Sequence, residues 1–368
     1  MRLGVLRETA PNERRVALVP PTVQKLHGAG HEVLIEGGAG EGAGYPDRAY
    51  EEAGGRITER AAILAESEIL LTVQYPDPED LAGVPPGATV IGLAQRSGAN
   101  RFVAAAAAGH LTVLAMERVP RTTKAQSMDV LSSQATVAGY QAVLLGASHL
   151  SRLLPMLTTA AGTIPPGRAF VLGAGVAGLQ AIATARRLGA IVSAFDVRPV
   201  VKEQVQSLGA TFVEAEAVSS AAEGSGGYAR ELAEEQQRKV LEAIGKVLPD
   251  KDLVISTAQI PGKPAPRLIT EEMVRTMKPG SVIVDLPVDS GGNCELSRAG
   301  ETVVAHGVTI LGPLNLPSQI PQHASLMYSR NLQALVEYLI RDGRLEIDRD
   351  DVIAGPMILV HGGDTAGV

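Results

Sequence analysis

Residues 173–178 read Gly-Ala-Gly-Val-Ala-Gly, the spacing G-x-G-x-x-G, within a context that gives the spacing structural force. The apolar run ending Phe170-Val171-Leu172 precedes it as a buried strand would. A helical run over 177–188 follows, then a second apolar run over 190–195 that ends on Asp196. Strand, glycine turn, helix, strand and acid in that order predict a βαβ unit that binds a dinucleotide. Gly173 permits the tight turn out of the strand, Gly175 lets the backbone approach a pyrophosphate, and Gly178 lets the helix pack close to the sheet. The helix N-terminus offers free N–H groups and the positive end of its dipole to phosphate. Asp196 stands where an acid hydrogen-bonds ribose hydroxyls and would repel a 2′-phosphate, which favours NAD(H) over NADP(H). Arg198 works the other way, since a nearby arginine can accommodate that phosphate. The competing reading is a glycine-rich turn without a ligand. Ala174 and Val176 inside the loop, and Val197 beside Asp196, join the candidate cofactor-binding set.

The rest of the chain repeats the alternation of strand and helix. Strand-like runs occur at 2–6, 32–35, 69–73, 89–93 and 111–115, and again at 252–257, 281–285 and 309–312. Helical stretches fall between them, at 21–28 (with Thr22 a possible cap), 131–154, 201–208, 229–247 and 323–341. The predicted fold class is therefore α/β: two Rossmann-like domains with parallel sheets, joined by the long apolar helix 131–154. Residues 1–132 with 318–368 are expected to form one domain and residues 133–317 the nucleotide-binding one, with NAD(H) in the cleft between them. The glycine-rich run 37–44 and the proline-marked run 163–167 read as loops, and 218–228 as a surface loop of serines and glycines.

Composition excludes several function classes. A length of 368 residues exceeds one ordinary core, and a net charge of −7 is no footprint for nucleic acid. The single cysteine, Cys294, excludes internal disulfides and a cysteine-based metal site, and fits a reducing cytoplasmic compartment. The seven histidines lack ligand spacing, so no metal is expected. Arg2, Arg7 and Glu8 interrupt the N-terminal apolar run, so no signal peptide is expected. The alanine-rich stretch 102–116 is too short to span a bilayer and holds Gly109 and His110, so no membrane span is expected.

One polar cluster remains. Arg121, Gln126, Asp129, Ser132 and Ser133 lie just ahead of the long apolar helix. They could line the mouth of a cleft; equally, Asp129 or one of the serines could be the N-cap of that helix.

Arg121, Gln126 and Asp129, set in Gln-Ser-Met-Asp-Val-Leu-Ser-Ser, resemble the Arg-Gln-Asp loop of the NAD(H)-binding component of proton-translocating nicotinamide nucleotide transhydrogenase. The resemblance covers almost the whole chain. It includes Arg7-Glu8 with the run 13–18, the fingerprint with Asp196-Val197-Arg198, Lys202-Glu203-Gln204-Val205, Gly226-Gly227-Tyr228-Ala229, the run 260–266 and Gly291-Gly292-Asn293-Cys294. It implies that Gln126 and Asp129 position the nicotinamide end of NADH, that Arg121 braces the loop and that Ser132 contacts carboxamide or ribose. It also implies that the Tyr228 loop closes over the nucleotide; from its residues alone that loop reads more readily as a plain connection. Gly227 and Ala258 complete the implied cofactor-binding set. Hydride would pass directly to NADP⁺ on a partner, coupled to proton translocation. The implied assembly is a homodimer, peripheral on the cytoplasmic face, joined to NADP(H)-binding and membrane-spanning subunits.

The competing family is alanine dehydrogenase, which the chain also resembles in Arg14-Arg15-Val16-Ala17-Leu18 and in the glycine-rich loop after Ile35. Amino-acid oxidation needs a proton-transfer group and a carboxylate anchor beside the nicotinamide. Where that enzyme has a lysine this chain has Gln74, and where it has a histidine this chain has Gln95; a neutral amide does neither job. Asp289 does match that family's catalytic aspartate. A third possibility is a protein that binds NAD without catalysis.

Overall fold

The computed structural model describes residues 1–94, 99–215, 234–260 and 263–365. They form two units, Met1–Gln134 with Pro317–Val368, and Ala135–Leu316.

The first unit is built on strands β1 (Arg2–Val5), β2 (Glu32–Glu36), β3 (Arg56–Thr58), β4 (Ile69–Gln74), β5 (Thr89–Leu93) and β6 (Thr112–Ala115), with β18 (Ile358–His361) and β19 (Asp364–Thr365) from the C-terminal segment. The sheet order is β19-β18-β6-β5-β4-β1-β2-β3. The first six strands run parallel. Their side chains are apolar on both faces because both faces are covered. Leu3, Val5, Val33, Ile35, Ile69, Leu71 and Ile91 pack against α1 (Pro20–Gly28) and α10 (Pro321–Leu339). The alternate residues Leu34, Leu70, Val90 and Val113 pack against α3 (Arg60–Glu66) and α4 (Ala99–Ala108). Ser325 and Ser329 of α10 accept from the backbone N–H of Val16 and Val19 at 3.0 and 3.1 Å, which straps the 15–19 segment to the helix.

The second unit has β9 (Arg168–Leu172), β10 (Ile191–Phe195), β11 (Thr211–Phe212), β12 (Leu253–Ser256), β13 (Val282–Asp285), β14 (Thr302–Ala305) and β15 (Val308–Leu311), in the order β11-β10-β9-β12-β13-β15-β14. Ala169, Val171, Val192, Ile255 and Val284 face α6 (Val176–Arg187) and the apolar residues Ala142 and Val143 of α5 (Val130–His149). Phe170, Leu172, Val254 and Ile283 face α8 (Glu234–Val247) and α9 (Glu271–Thr276). In each sheet the chain builds outward from one strand, crosses back and builds the other way. The two switch points fall between β1 and β4 and between β9 and β12, and this is the doubly wound α/β class predicted from the sequence.

Four expectations change. The sheets are not wholly parallel: β14, β18 and β19 pair antiparallel at the edges, each joined to its neighbour without a crossover helix or, for β18, arriving from the far end of the chain. The helix expected over 131–154 is α5 and ends at His149, where Ser148 Oγ and His149 Nδ1 engage the Leu145 carbonyl at 2.8 and 2.9 Å and a turn toward Pro155 follows. The loop expected at 163–167 begins in a strand. β7 (Leu157–Thr159) and β8 (Gly162–Ile164) form a separate hairpin with Thr158 opposite Thr163, its turn made possible by Gly162 at φ +115°. Thr22 does not cap α1, which starts at Pro20, a residue that pre-sets the first helical φ and leaves Val19 as the cap position.

Candidate dinucleotide site

The glycine loop follows β9 at the switch point of the second unit, and each glycine meets a different constraint. Gly173 has φ +90°, and its N–H donates to the Phe195 carbonyl at 2.8 Å. A Cβ on Gly178 would lie 1.8 Å from the Gly173 carbonyl oxygen, so α6 sits against the turn at a distance only glycine allows. A Cβ on Gly175 would meet no atom within 4 Å. Gly175 is the N-cap of α6, no side chain caps it, and the first turn holds no acid. The N–H groups of Val176, Ala177 and Gly178 therefore carry the positive helix end with no anionic side chain of that turn beside them. Gly139 of α5 lets that helix approach the same end, since a Cβ there would fall 2.1 Å from the Ala177 carbonyl.

Asp196 ends β10 and is only 7% exposed. Its Oδ2 accepts from the Ala174 N–H at 2.7 Å and from Arg198 Nη2 at 2.8 Å, and its Oδ1 accepts from the N–H and Nε of Arg198 at 2.8 and 2.9 Å. The acid thus fixes the glycine loop and holds the guanidinium that a 2′-phosphate would need. Val197, half-buried, stands between them. Across the switch point, Thr257 Oγ1 donates to the carbonyls of Leu172 and Gly173 at 3.2 and 3.0 Å. Sequence reading missed Thr257; its place directly after a buried strand on the far side of the fingerprint is the signal that could have found it. The Ala258 N–H and carbonyl both bond to Asn293, at 3.1 and 2.8 Å. Gly173, Ala174, Gly175, Val176, Gly178, Asp196, Val197, Arg198, Thr257 and Ala258 thus surround one switch point. Gly227 and Tyr228 lie outside the described residues.

Arg121, Gln126, Asp129 and Ser132 belong to the first unit. A 3₁₀ turn over Thr123–Met128 presents Gln126 to solvent while Ala125 and Met128 anchor it in the core. Asn331 Nδ2 of α10 donates to the Ser127 carbonyl at 2.7 Å and pins the turn. Asp129 precedes the first residue of α5. Its Oδ1 accepts from the Ser132 N–H at 2.9 Å and its Oδ2 from Ser132 Oγ at 2.6 Å, so of the capping alternatives Asp129 is the N-cap, and Ser132 orients it. Arg121 is exposed.

Of the residues matched to alanine dehydrogenase, Gln74 at the end of β4 and Arg15 lie in the first unit, with Gln74 near its switch point. Glu8 accepts from the N–H groups of Val73 and Gln74 at 2.6 and 3.1 Å, and burial pushes its carboxyl from 4.5 up to about 8. Arg15, 4% exposed, is engaged by Glu13 through two bonds of 2.7 and 2.6 Å and by Gln134 Oε1 at 2.8 Å. Gln74 Nε2 reaches Glu13 at 3.4 Å. This polar centre contains no lysine or histidine beside Gln74 among the contacts formed by described residues, and Gln95 lies outside them. Asp289 is exposed on the turn after β13. Among the described residues no group of histidine, cysteine, aspartate or glutamate could hold a metal ion, and no helix is long and apolar enough to cross a membrane.

Comparison with known proteins agrees with this architecture. The N-terminal domain of the alanine dehydrogenase/PNT family matches residues 4–138, and its C-terminal domain matches residues 142–366. An NAD(P) transhydrogenase subunit alpha protein of Rhodospirillum rubrum is 46% identical over 98% of this chain and 97% of its own length. The crystal structure of transhydrogenase from Sinorhizobium meliloti superposes with a TM-score of 0.90 at 45% identity, covering 100% of both chains. Alanine dehydrogenase of Mycolicibacterium smegmatis is 30% identical over 93% of this chain and 88% of its own length. With both of its domains matched, and with relatives similar over nearly their whole length, the chain belongs to the alanine dehydrogenase/PNT family.

Proposed function

We propose that this chain is the NAD(H)-binding subunit of a proton-translocating nicotinamide nucleotide transhydrogenase. The observation that carries the reading is the glycine loop at the β9–β12 switch point, with an uncapped α6 N-terminus and an acid that already holds Arg198. Similarity to the transhydrogenase alpha subunit of R. rubrum supports the choice within the family. The loop N–H groups bind the pyrophosphate, and Asp196 faces the adenosine ribose and disfavours NADP(H). Gln126 and Asp129 position the nicotinamide end, Arg121 braces their turn, Ser132 contacts carboxamide or ribose, and Tyr228 with Gly227 closes over the nucleotide. Bound NADH supplies a hydride that passes directly to NADP⁺ on a partner subunit, and proton translocation is coupled through membrane-spanning subunits. Such a transfer moves no proton at a substrate carbon, which suits Gln74 where an amino-acid dehydrogenase needs a base.

The subunit acts as a homodimer, peripheral to the cytoplasmic face of the membrane. The β7–β8 hairpin and the segment leading into it support the dimer: Leu153, Met156, Leu157 and Ile164 are 46, 62, 40 and 43% exposed, and exposed apolar side chains so close in sequence suit a second protein surface. Equilibrium titration tests the cofactor reading. The chain has no tryptophan, so the fluorescence of bound NADH is free of energy transfer from indole. NADH binding at least about tenfold tighter than NADPH, with no NADH formed from alanine and NAD⁺, is expected. Alanine-dependent NADH formation would assign the chain to the dehydrogenases instead.

A further inference from the structure

The Gly291-Gly292-Asn293-Cys294 run does not belong to the fingerprint, yet its asparagine is fully buried. Asn293 Oδ1 accepts from Ser256 Oγ at 2.6 Å and from the Ala258 N–H at 3.1 Å. Its Nδ2 donates to the carbonyls of Ala258 and Pro266, both at 2.8 Å. The side-chain amide therefore uses two acceptor sites and both donors, the full capacity of the group. Its backbone is held as well: the N–H donates to Asp285 Oδ1 at 3.0 Å, and the carbonyl accepts from Leu268 and Ile269 at 2.9 and 3.0 Å. Asp285, also fully buried, accepts in addition from the Cys294 N–H at 2.9 Å and Ser297 Oγ at 2.6 Å. The side chain thus joins the end of β12 to the segment after it and clamps both polar groups of the Ala258 backbone, while the backbone N–H of the same residue ties it to Asp285 at the end of β13.

The location gives the clamp a role. A doubly wound sheet binds a dinucleotide as two mononucleotide halves on either side of the switch point. The fingerprint and Asp196 sit on the β9–β10 side and serve the adenosine and pyrophosphate. The other half extends over the ends of β12 and β13, where Thr257 and Ala258 follow the strand. We propose that Asn293 is a positioning residue for the nicotinamide-mononucleotide half, holding the Thr257–Ala258 backbone in the shape that half requires. The inference rests on the reading of the second unit as an NAD(H) site.

The test compares NADH with ADP, which occupies only the adenosine and pyrophosphate half, on the full chain and on N293A and S256A. Asn293→Ala is expected to weaken NADH about tenfold and leave ADP within about twofold. Ser256→Ala removes only one anchor of Oδ1, is the milder change should N293A fail to fold, and is expected to show the same selective loss at about threefold. A general structural defect would weaken both ligands alike. Equal loss of NADH and ADP, or unchanged NADH affinity in folded S256A, overturns the inference. A wild-type chain that binds neither ligand overturns the NAD(H) site itself, and the inference with it.

Discussion

At Gly178 one added carbon would lie 1.8 Å from the Gly173 carbonyl, whereas at Gly175 the same carbon meets nothing within 4 Å. The two glycines of one loop should therefore fail differently. Gly178→Ala is expected to cost about 1–3 kcal/mol of stability through overpacking and to lose NAD(H) binding with it. Gly175→Ala, whose φ of −77° suits any residue, should leave stability within about 0.5 kcal/mol and still weaken NAD(H), because the methyl intrudes where a pyrophosphate approaches. Thermal unfolding alongside NADH titration separates them, and equal losses of stability would contradict the account. Asp196→Ala releases Arg198 and removes the negative charge, so NADPH should gain on NADH in paired titrations; an unchanged ratio would show that the pair does not set the preference. Much of this was legible beforehand, because glycine spacing and a strand-terminal acid are local in sequence. The full commitment of Asn293 to Ser256, Ala258 and Pro266 was not, since it joins residues up to 37 positions apart.

The first turn of α5 shows how an element can serve two readings at once. Asp129 is the N-cap, bonded to the N–H and hydroxyl of Ser132. Asp129→Ala should cost about 1 kcal/mol in thermal unfolding, whereas Asp129→Asn, which keeps a capping oxygen, should cost little. If D129N keeps its stability and loses nucleotide function, the charge has a role beyond the cap; if D129A is as stable as wild type, the cap contributes nothing. Glu8 sets a pH dependence on the link between β1 and β4. Its carboxyl is pushed from 4.5 to about 8 in the fold, so folding retains a proton that the unfolded chain gives up. That contribution is complete below 4.5 and is lost as pH rises toward about 8. Melting temperature should accordingly fall more steeply with pH across that window in wild type than in Glu8→Gln, and parallel curves would contradict the assignment. Long apolar strands and helices were readable from periodicity, but the β7–β8 hairpin was not. Its three-residue strands carry threonines rather than an apolar run, and their pairing depends on Gly162 at the turn.

Across the whole molecule, two doubly wound sheets present two switch points, and the chain treats them differently. The second unit lines its switch point with bare backbone N–H groups. Near that of the first unit lie Glu8, Glu13, Arg15 and Gln74 bonded among themselves and to neighbouring backbone. The sequence pattern of alternating strands and helices was enough to predict the class of both sheets. It did not show the antiparallel edges: β18 pairs with β6, a strand far away in the chain, and β14 is a four-residue strand turned back onto β15 by the two residues between them. The central claim is direct hydride transfer between two nucleotides on two proteins. The measurement is to mix this subunit with the NADP(H)-binding component of a transhydrogenase and follow reduction of an NAD⁺ analogue by NADPH. Rapid reduction that requires both proteins is the predicted result. A subunit that binds NADH yet supports no transfer with a component competent toward another NAD(H)-binding subunit would contradict the account.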